Sequence, residues 1–232
     1  MVFRVFAAAL AAGLLSAILI TALQSVTTAP MILEAETYEV VSPGHDHSAH
    51  DHGAEVPWMP ADGLERMLYS LLANFGAGVG FSLLLIVGLT FDLPAVGAGR
   101  GVLWGTAGFA VFTLAPALGL PPGVPGLAAP DEQAAQLWWL GTVLFSAGGL
   151  GALVFGKTSV LKVLGLALLV VPHLWGAPLV FGESLVPARL AARFAAMSIV
   201  MSAVFWLAIG YFSGDFRQAG RTERDLVFWQ HI

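Results

Sequence analysis

The 232-residue chain contains no cysteine, which excludes disulfides, thiolate metal sites and a cysteine nucleophile, and says nothing about redox compartment. Charge is scarce: Asp, Glu, Lys and Arg make up 11% of residues, where soluble domains carry about a quarter. A shortage that large means that most of the chain is dissolved in lipid. The balance is acidic, with a net charge of −5, so a nucleic-acid partner is not indicated. No H-E-x-x-H, no P-loop and no G-x-S-x-G occurs, so no enzyme constellation is present. Without a nucleotide site, the chain cannot itself use ATP. What is abundant is apolar: 57% of residues are hydrophobic. The 27 glycines and 13 prolines would be costly in soluble helices but are frequent in membrane-spanning ones.

Six stretches pass the test of roughly 20 residues without charge, namely 5–33, 68–91, 101–120, 133–156, 163–182 and 194–214. Lipid offers no partner to open backbone groups, so these are expected to be helices, and none alternates as a barrel strand would. The expected fold class is all-α: a polytopic helical bundle of six transmembrane helices (five are possible), forming one domain over 1–232. The first helix should end before Pro30. Its apolar run is too long for a usual signal peptide, and no A-x-A site follows. The fifth stretch is interrupted by Pro172, His173, Gly176 and Pro178 and should kink or end early.

Basic residues set the orientation. Arg4, Arg100, Lys157, Lys162, Arg217, Arg221 and Arg224 all fall on one side if there are six spans, and Arg189 and Arg193 dissent. Both termini are therefore expected in the cytoplasm. The tail over 215–232 mixes both charge signs like a solvated helix. The loop over 30–66 is expected outside. There Asp62 and Glu65 have the spacing of a helix N-cap and its reciprocal partner. The Pro/Gly-rich connection from Pro116 to Gly126 should pack at the interface.

The strongest chemical signal is His45-Asp46-His47-Ser48-Ala49-His50-Asp51-His52, with four of the six histidines. Imidazole suits Co, Ni, Cu and Zn, and a neighbouring carboxylate can ligate or orient the ring. His45, Asp46, His47, His50, Asp51 and His52 are thus metal-ligand candidates; the bland alternative is a polar tract that binds metal incidentally. His173 lies inside a span after Pro172, and polar groups at that depth tend to mark pathways, although a neighbouring helix could equally satisfy it. Asn74 and Glu183 are further pathway candidates. Packing glue is the better reading of Asn74, and a solvated carboxylate that of Glu183, Glu34 and Glu36. The pairs Gly76/Gly80 and Gly101/Gly105 have the spacing of a close helix contact. Trp58, Trp104, Trp138, Trp139 and Trp175 read as an aromatic belt.

Several ordered motifs resemble the CbtA-type family of cobalt transporters. They are Pro30-Met-Ile-Leu-Glu-Ala-Glu36, Trp58-Met-Pro-Ala-Asp-Gly-Leu-Glu-Arg66 leading into Leu71-Leu-Ala-Asn-Phe-Gly-Ala-Gly-Val-Gly-Phe81, Leu103-Trp-Gly-Thr-Ala-Gly-Phe109, Leu114-Ala-Pro-Ala-Leu-Gly-Leu-Pro-Pro122, Gln136-Leu-Trp-Trp-Leu-Gly141, Pro172-His-Leu-Trp-Gly-Ala-Pro178 and Ala191-Ala-Arg-Phe194. The resemblance covers nearly the whole chain. It implies a bacterial inner-membrane component of Co(II) transport that supplies cobalamin synthesis. It also implies, as partner, a second and smaller cobalt transporter subunit with a single span and its own histidines, and no tightly bound cofactor. The family is usually described with about five spans, against the six counted here. The H-x4-D-H signature of nickel/cobalt permeases is missing, so their mechanism does not transfer. The alternative function is a metal-binding or sensing accessory, for nickel or another divalent ion, that does not itself translocate. A membrane enzyme or assembly factor with an incidental His tract is the third reading.

Overall fold

Each apolar stretch becomes a helix in the computed structural model, which describes residues 2–40, 60–90, 97–180 and 182–229. Of these, 2, 39–40 and 219–229 are described as backbone alone. The described residues contain helices and no strand. The helices are α1 Val2–Val26, α2 Thr28–Val40, α3 Leu64–Gly88, α4 Ala98–Phe109, a π-turn Ala110–Leu114 running into α5 Ala115–Ala117, α6 Glu132–Phe155, α7 Ser159–Trp175 and α8 Ala188–Trp229. Four of them, in α1, α3, α6 and α8, are long and apolar enough to cross a membrane. The run over 98–117 is about 30 Å long and matches one hydrocarbon thickness. At 17 residues, the apolar α7 reaches about 26 Å, a few ångströms short of that thickness. The fold is a helical membrane bundle.

Two boundaries differ from expectation. Helix α1 does end before Pro30, but a second helix starts almost at once. Pro30 has no N–H to give the preceding turn, so the ladder breaks at Thr27 and restarts with Pro30 in the first turn of α2. Glu34 and Glu36 thus stand on a helix rather than in a loop. At the other end, the span 194–214 and the charged tail form one 42-residue helix. No proline interrupts it, and the charged residues over 215–225 are compatible with helix once outside lipid.

Helix α8 is the hub, packing on α4, α1 and α3, while α1 also lies along α3. Helices α6 and α7 pair with each other, and α6 meets the π-turn and α5. Glycine makes these contacts close. A Cβ on Gly101 would overlap the Gly210 carbonyl oxygen, and one on Gly105 the Trp206 carbonyl oxygen. A Cβ on Gly78 would lie 2.9 Å from the Gly13 oxygen, and Gly149 and Gly165 face each other with the corresponding separation of 2.8 Å on both sides. In lipid, where apolar burial gives no drive between helices, such backbone approach is what makes association favourable. Of the two pairs read from spacing, Gly101/Gly105 is used and Gly76/Gly80 is not: a Cβ at either of the latter meets nothing within 4 Å. Gly78, between them, makes the contact instead.

Two apolar clusters hold the bundle together. Met31 and Ala35 of α2 pack with Val124, Val186, Leu190 and Phe194, so α2 and two connections close over the start of α8. The Ser184 hydroxyl donates to the Gly126 carbonyl at 2.8 Å and ties those connections together. Burial of Val124 shows that the Pro/Gly-rich connection is packed against the bundle. Deeper in, Leu85, Trp206 and Ile209 gather Phe81, Trp104, Phe109, Phe112 and Phe205.

Candidate functional site

The His/Asp tract lies outside the described residues, so His45, Asp46, His47, His50, Asp51 and His52 have no structural account, and neither has Trp58. Among the described residues, no group of three or more His, Asp or Glu could hold a metal ion.

His173 stands in the last turn of α7, half-buried. Its ring meets Trp138 of α6 edge-on, centroids 6.2 Å apart. Pro172 lets α7 run on for one more turn, and Gly176, at φ 89°, turns the chain away in a conformation that favours glycine. Pro172 donates no bond to the Leu168 carbonyl, so a backbone acceptor stands one turn from the imidazole. A groove of about 670 Å³ runs beside this region, lined by Trp138, Thr142, Pro172, Trp175 and Gly176. The Trp138 indole N–H is buried there without a partner. Trp138 is therefore more than a belt residue, whereas Trp175, 87% exposed, fits the belt.

Asn74 sits on a different helix pair. Its amide nitrogen donates to Thr21 Oγ1 at 2.9 Å and to Gln24 Oε1 at 2.7 Å, both on α1. Its amide N–H groups are thus committed across the α1–α3 contact, which is the geometry of packing glue. Asn74 and His173 are not brought together: one belongs to the α1–α3 pair and the other to α6–α7. Glu183 is exposed in the connection before α8, as a solvated carboxylate would be.

The sequence reading missed a charged knot at the end of the bundle that bears α2. Arg66 of α3 donates to Glu36 of α2 through two nitrogens, at 2.6 and 3.2 Å, and contacts Asp62 at 2.9 Å. Glu36 is therefore not a free solvated carboxylate. Asp62 spends its side chain on Arg66 and does not cap α3, whose N-cap is Gly63; Glu65 does reach back, accepting from the Ala61 N–H at 3.2 Å. The pairing became findable only with α2, which puts Glu36 beside the start of α3. Also missed were the buried hydroxyls. Ser16, Ser82 and Ser213 lie on the mutually packed α1, α3 and α8, and Ser146 on α6, each fully or almost fully buried and without a hydrogen-bond partner among the described residues. Their i±3/4 relation to glycines such as Gly13, Gly78 and Gly149 was the available signal.

The π-turn is a further irregularity. The Ala115 N–H bonds to the Ala110 carbonyl, five residues back. Pro116 follows at once and cannot donate to Phe112, so the widened turn falls where the regular ladder must fail. Thr113 within it accepts the indole N–H of Trp206 at 3.1 Å, tying α8 to the irregular turn.

No curated protein and no solved structure matches the chain. A family model described as probable cobalt transporter subunit (CbtA) matches residues 3–218, and the chain belongs to that family.

Proposed function

We propose that this chain is the membrane-embedded component of a Co(II) transport system. The tract around His45–His52 collects the ion outside the bilayer, and a small single-span partner works beside it. The observation that carries this reading is the family match across residues 3–218, combined with a helical membrane bundle. The chemistry agrees. Imidazole with flanking carboxylate is a borderline donor set suited to a first-row divalent ion, and the tract provides it in eight consecutive residues. Cobalt here is cargo. Cobalamin synthesis as the consumer and a bacterial inner membrane as the location are what the resemblance implies, and the basic residues favour both termini in the cytoplasm. His173, one turn from the Leu168 carbonyl to which Pro172 cannot donate, is the intramembrane ligand that a route would use.

A second reading is favoured by one observation: Asn74 and His173 occupy different helix pairs. In that reading the chain captures or senses a divalent ion and delivers it to a partner that translocates. Proteoliposomes loaded with radioactive cobalt decide. Flux that needs this chain, rises with the partner and falls at least tenfold in His173→Ala supports transport through this chain. A companion that carries cobalt alone, with this chain only lowering the half-saturating concentration, supports the accessory. Vesicles containing both that pass no divalent ion overturn the transport reading.

A further inference from the structure

A second groove lies on the opposite side of α6 from His173, and the proposed route does not use it. Its volume is about 690 Å³. Helices α4 and α6 form its walls, Leu84 and Leu85 of α3 contribute, and Trp206 lies at its base. Arg100 and Thr106 are the polar exceptions in an otherwise apolar and aromatic lining. Along α4 and the π-turn that continues it, the lining runs from Arg100 to Phe112, about 18 Å at the helical rise. One end is closed by Phe112 stacked on Trp206 with centroids 5.4 Å apart. At the other end Trp104 and Phe155 face each other across the gap at 6.5 Å.

The open end is predominantly basic among the described residues. Arg100 lines the groove there. Because α4 and α6 run in opposite directions, Lys157, two residues beyond the lining residue Phe155, stands at the same end. Arg217 is held there too, donating to the Ile86 carbonyl at 2.9 Å. Asp215 is the nearby acid on α8, so the balance among the described residues is positive.

Size and charge together select the occupant. One leaflet of hydrocarbon is about 15 Å deep, which matches the length from Arg100 to Phe112. Basic residues at the mouth of a gap between transmembrane helices hold anionic headgroups. The geometry points to a binding site for an anionic phospholipid: an acyl chain fills the α4–α6 groove, and its phosphodiester sits between Arg100 and Lys157. This site stands independently of cobalt transport.

The test is native mass spectrometry of the full chain released from vesicles of equal phosphatidylglycerol and phosphatidylcholine. One phosphatidylglycerol per chain should be retained with roughly 25-fold preference. Replacing both Arg100→Gln and Lys157→Gln should bring the preference near parity, at roughly fivefold per charge. Gly151→Leu should remove the retained lipid altogether, because Gly151 lines the groove and a Cβ there meets nothing within 4 Å, so the new side chain fills the space without disturbing the fold. Gly141→Leu is the control: its Cβ is equally unobstructed, but it lines the other groove. The inference is overturned if Gly151→Leu retains the lipid, if the double charge variant keeps the preference, or if Gly141→Leu loses the lipid equally.

Discussion

Arg66 grips Glu36 with two of its three guanidinium nitrogens, and its third, Nε, is buried with no partner. The pair joins α2 to the start of α3 and so fixes where the chain enters the segment bearing the histidines. Both side chains keep some exposure, 25% and 33%, so the pair is weaker than its geometry suggests. Glu36→Ala should cost about 1 kcal/mol in unfolding in mild detergent, with Asp62 holding part of the cation. The same change at the exposed Glu34 should cost nothing measurable. The charge swap Glu36→Arg with Arg66→Glu should recover less than the full loss, because Asp62 then faces a carboxylate. Equal stability of Glu36→Ala and Glu34→Ala would remove the structural role of the pair.

The two glycine pairs of identical spacing make a sharper comparison. Gly101→Leu drives a side chain into the Gly210 backbone, a contact that cannot yield without separating α4 from α8. Overpacking of this kind should cost about 3 kcal/mol or more. Gly76→Leu places the same atoms in open space. We expect Gly101→Leu to lose folded protein on size-exclusion chromatography and Gly76→Leu to match the parent chain. The reverse result would mean that α4 and α8 are not the packed pair.

That contrast shows how far the sequence could be read. Apolar length reveals the helices, because lipid demands internal satisfaction of every backbone group whatever the side chains are. Neighbours are harder, since spacing says that Gly76 and Gly80 share a face but not which face meets α1; the contact fell instead to Gly78. Pro30 and Pro172 announced the breaks in the chain. The restart at Thr28 was hidden because Glu34 and Glu36 look like loop residues until Arg66 is found opposite Glu36. His173 was legible as a polar group in a span, whereas its aromatic partner Trp138 depends on how α6 and α7 pair. Trp206 gave no sign of its role, which depends on a π-turn almost a hundred residues earlier in the chain.

The bond from the Trp206 indole to Thr113 offers a test of that turn. Trp206 is 3% exposed and stacked on Phe112, so most of its contribution is packing, and the hydrogen bond adds a smaller part. Hydrogen bonds between membrane helices contribute about 0.6 kcal/mol on average. Thr113→Val keeps the volume and removes the acceptor. It should cost about 1 kcal/mol, the excess coming from the indole N–H left buried. Trp206→Ala should cost about 3–5 kcal/mol through the cavity alone. Trp206→Phe combined with Thr113→Val should be no worse than Trp206→Phe, since the acceptor no longer has a donor to lose. Additive losses in that double variant would show that Thr113 acts through something other than the indole.

Metal capture by residues 45–52 should titrate with its imidazoles. Only the neutral ring ligates, and an ordinary histidine changes charge near pH 6.5. Protons and metal compete for the same nitrogen, so affinity is full above that pH and is lost as pH falls through it. For an ion held by two rings, the binding-competent fraction falls about tenfold per ring between pH 7.5 and 5.5, so the dissociation constant should rise roughly 100-fold. One participating ring would give roughly tenfold, and carboxylate-only binding almost no change over the same interval. Calorimetric titration of Co(II) into the full chain in nanodiscs measures the slope directly. Deletion of residues 45–52 should abolish the pH-dependent component, because the four histidines removed are the dense donor set of the chain. Undiminished pH-dependent binding in the deletion variant would transfer the capture role to His173 or His231, and His173→Ala in that background would then decide between them.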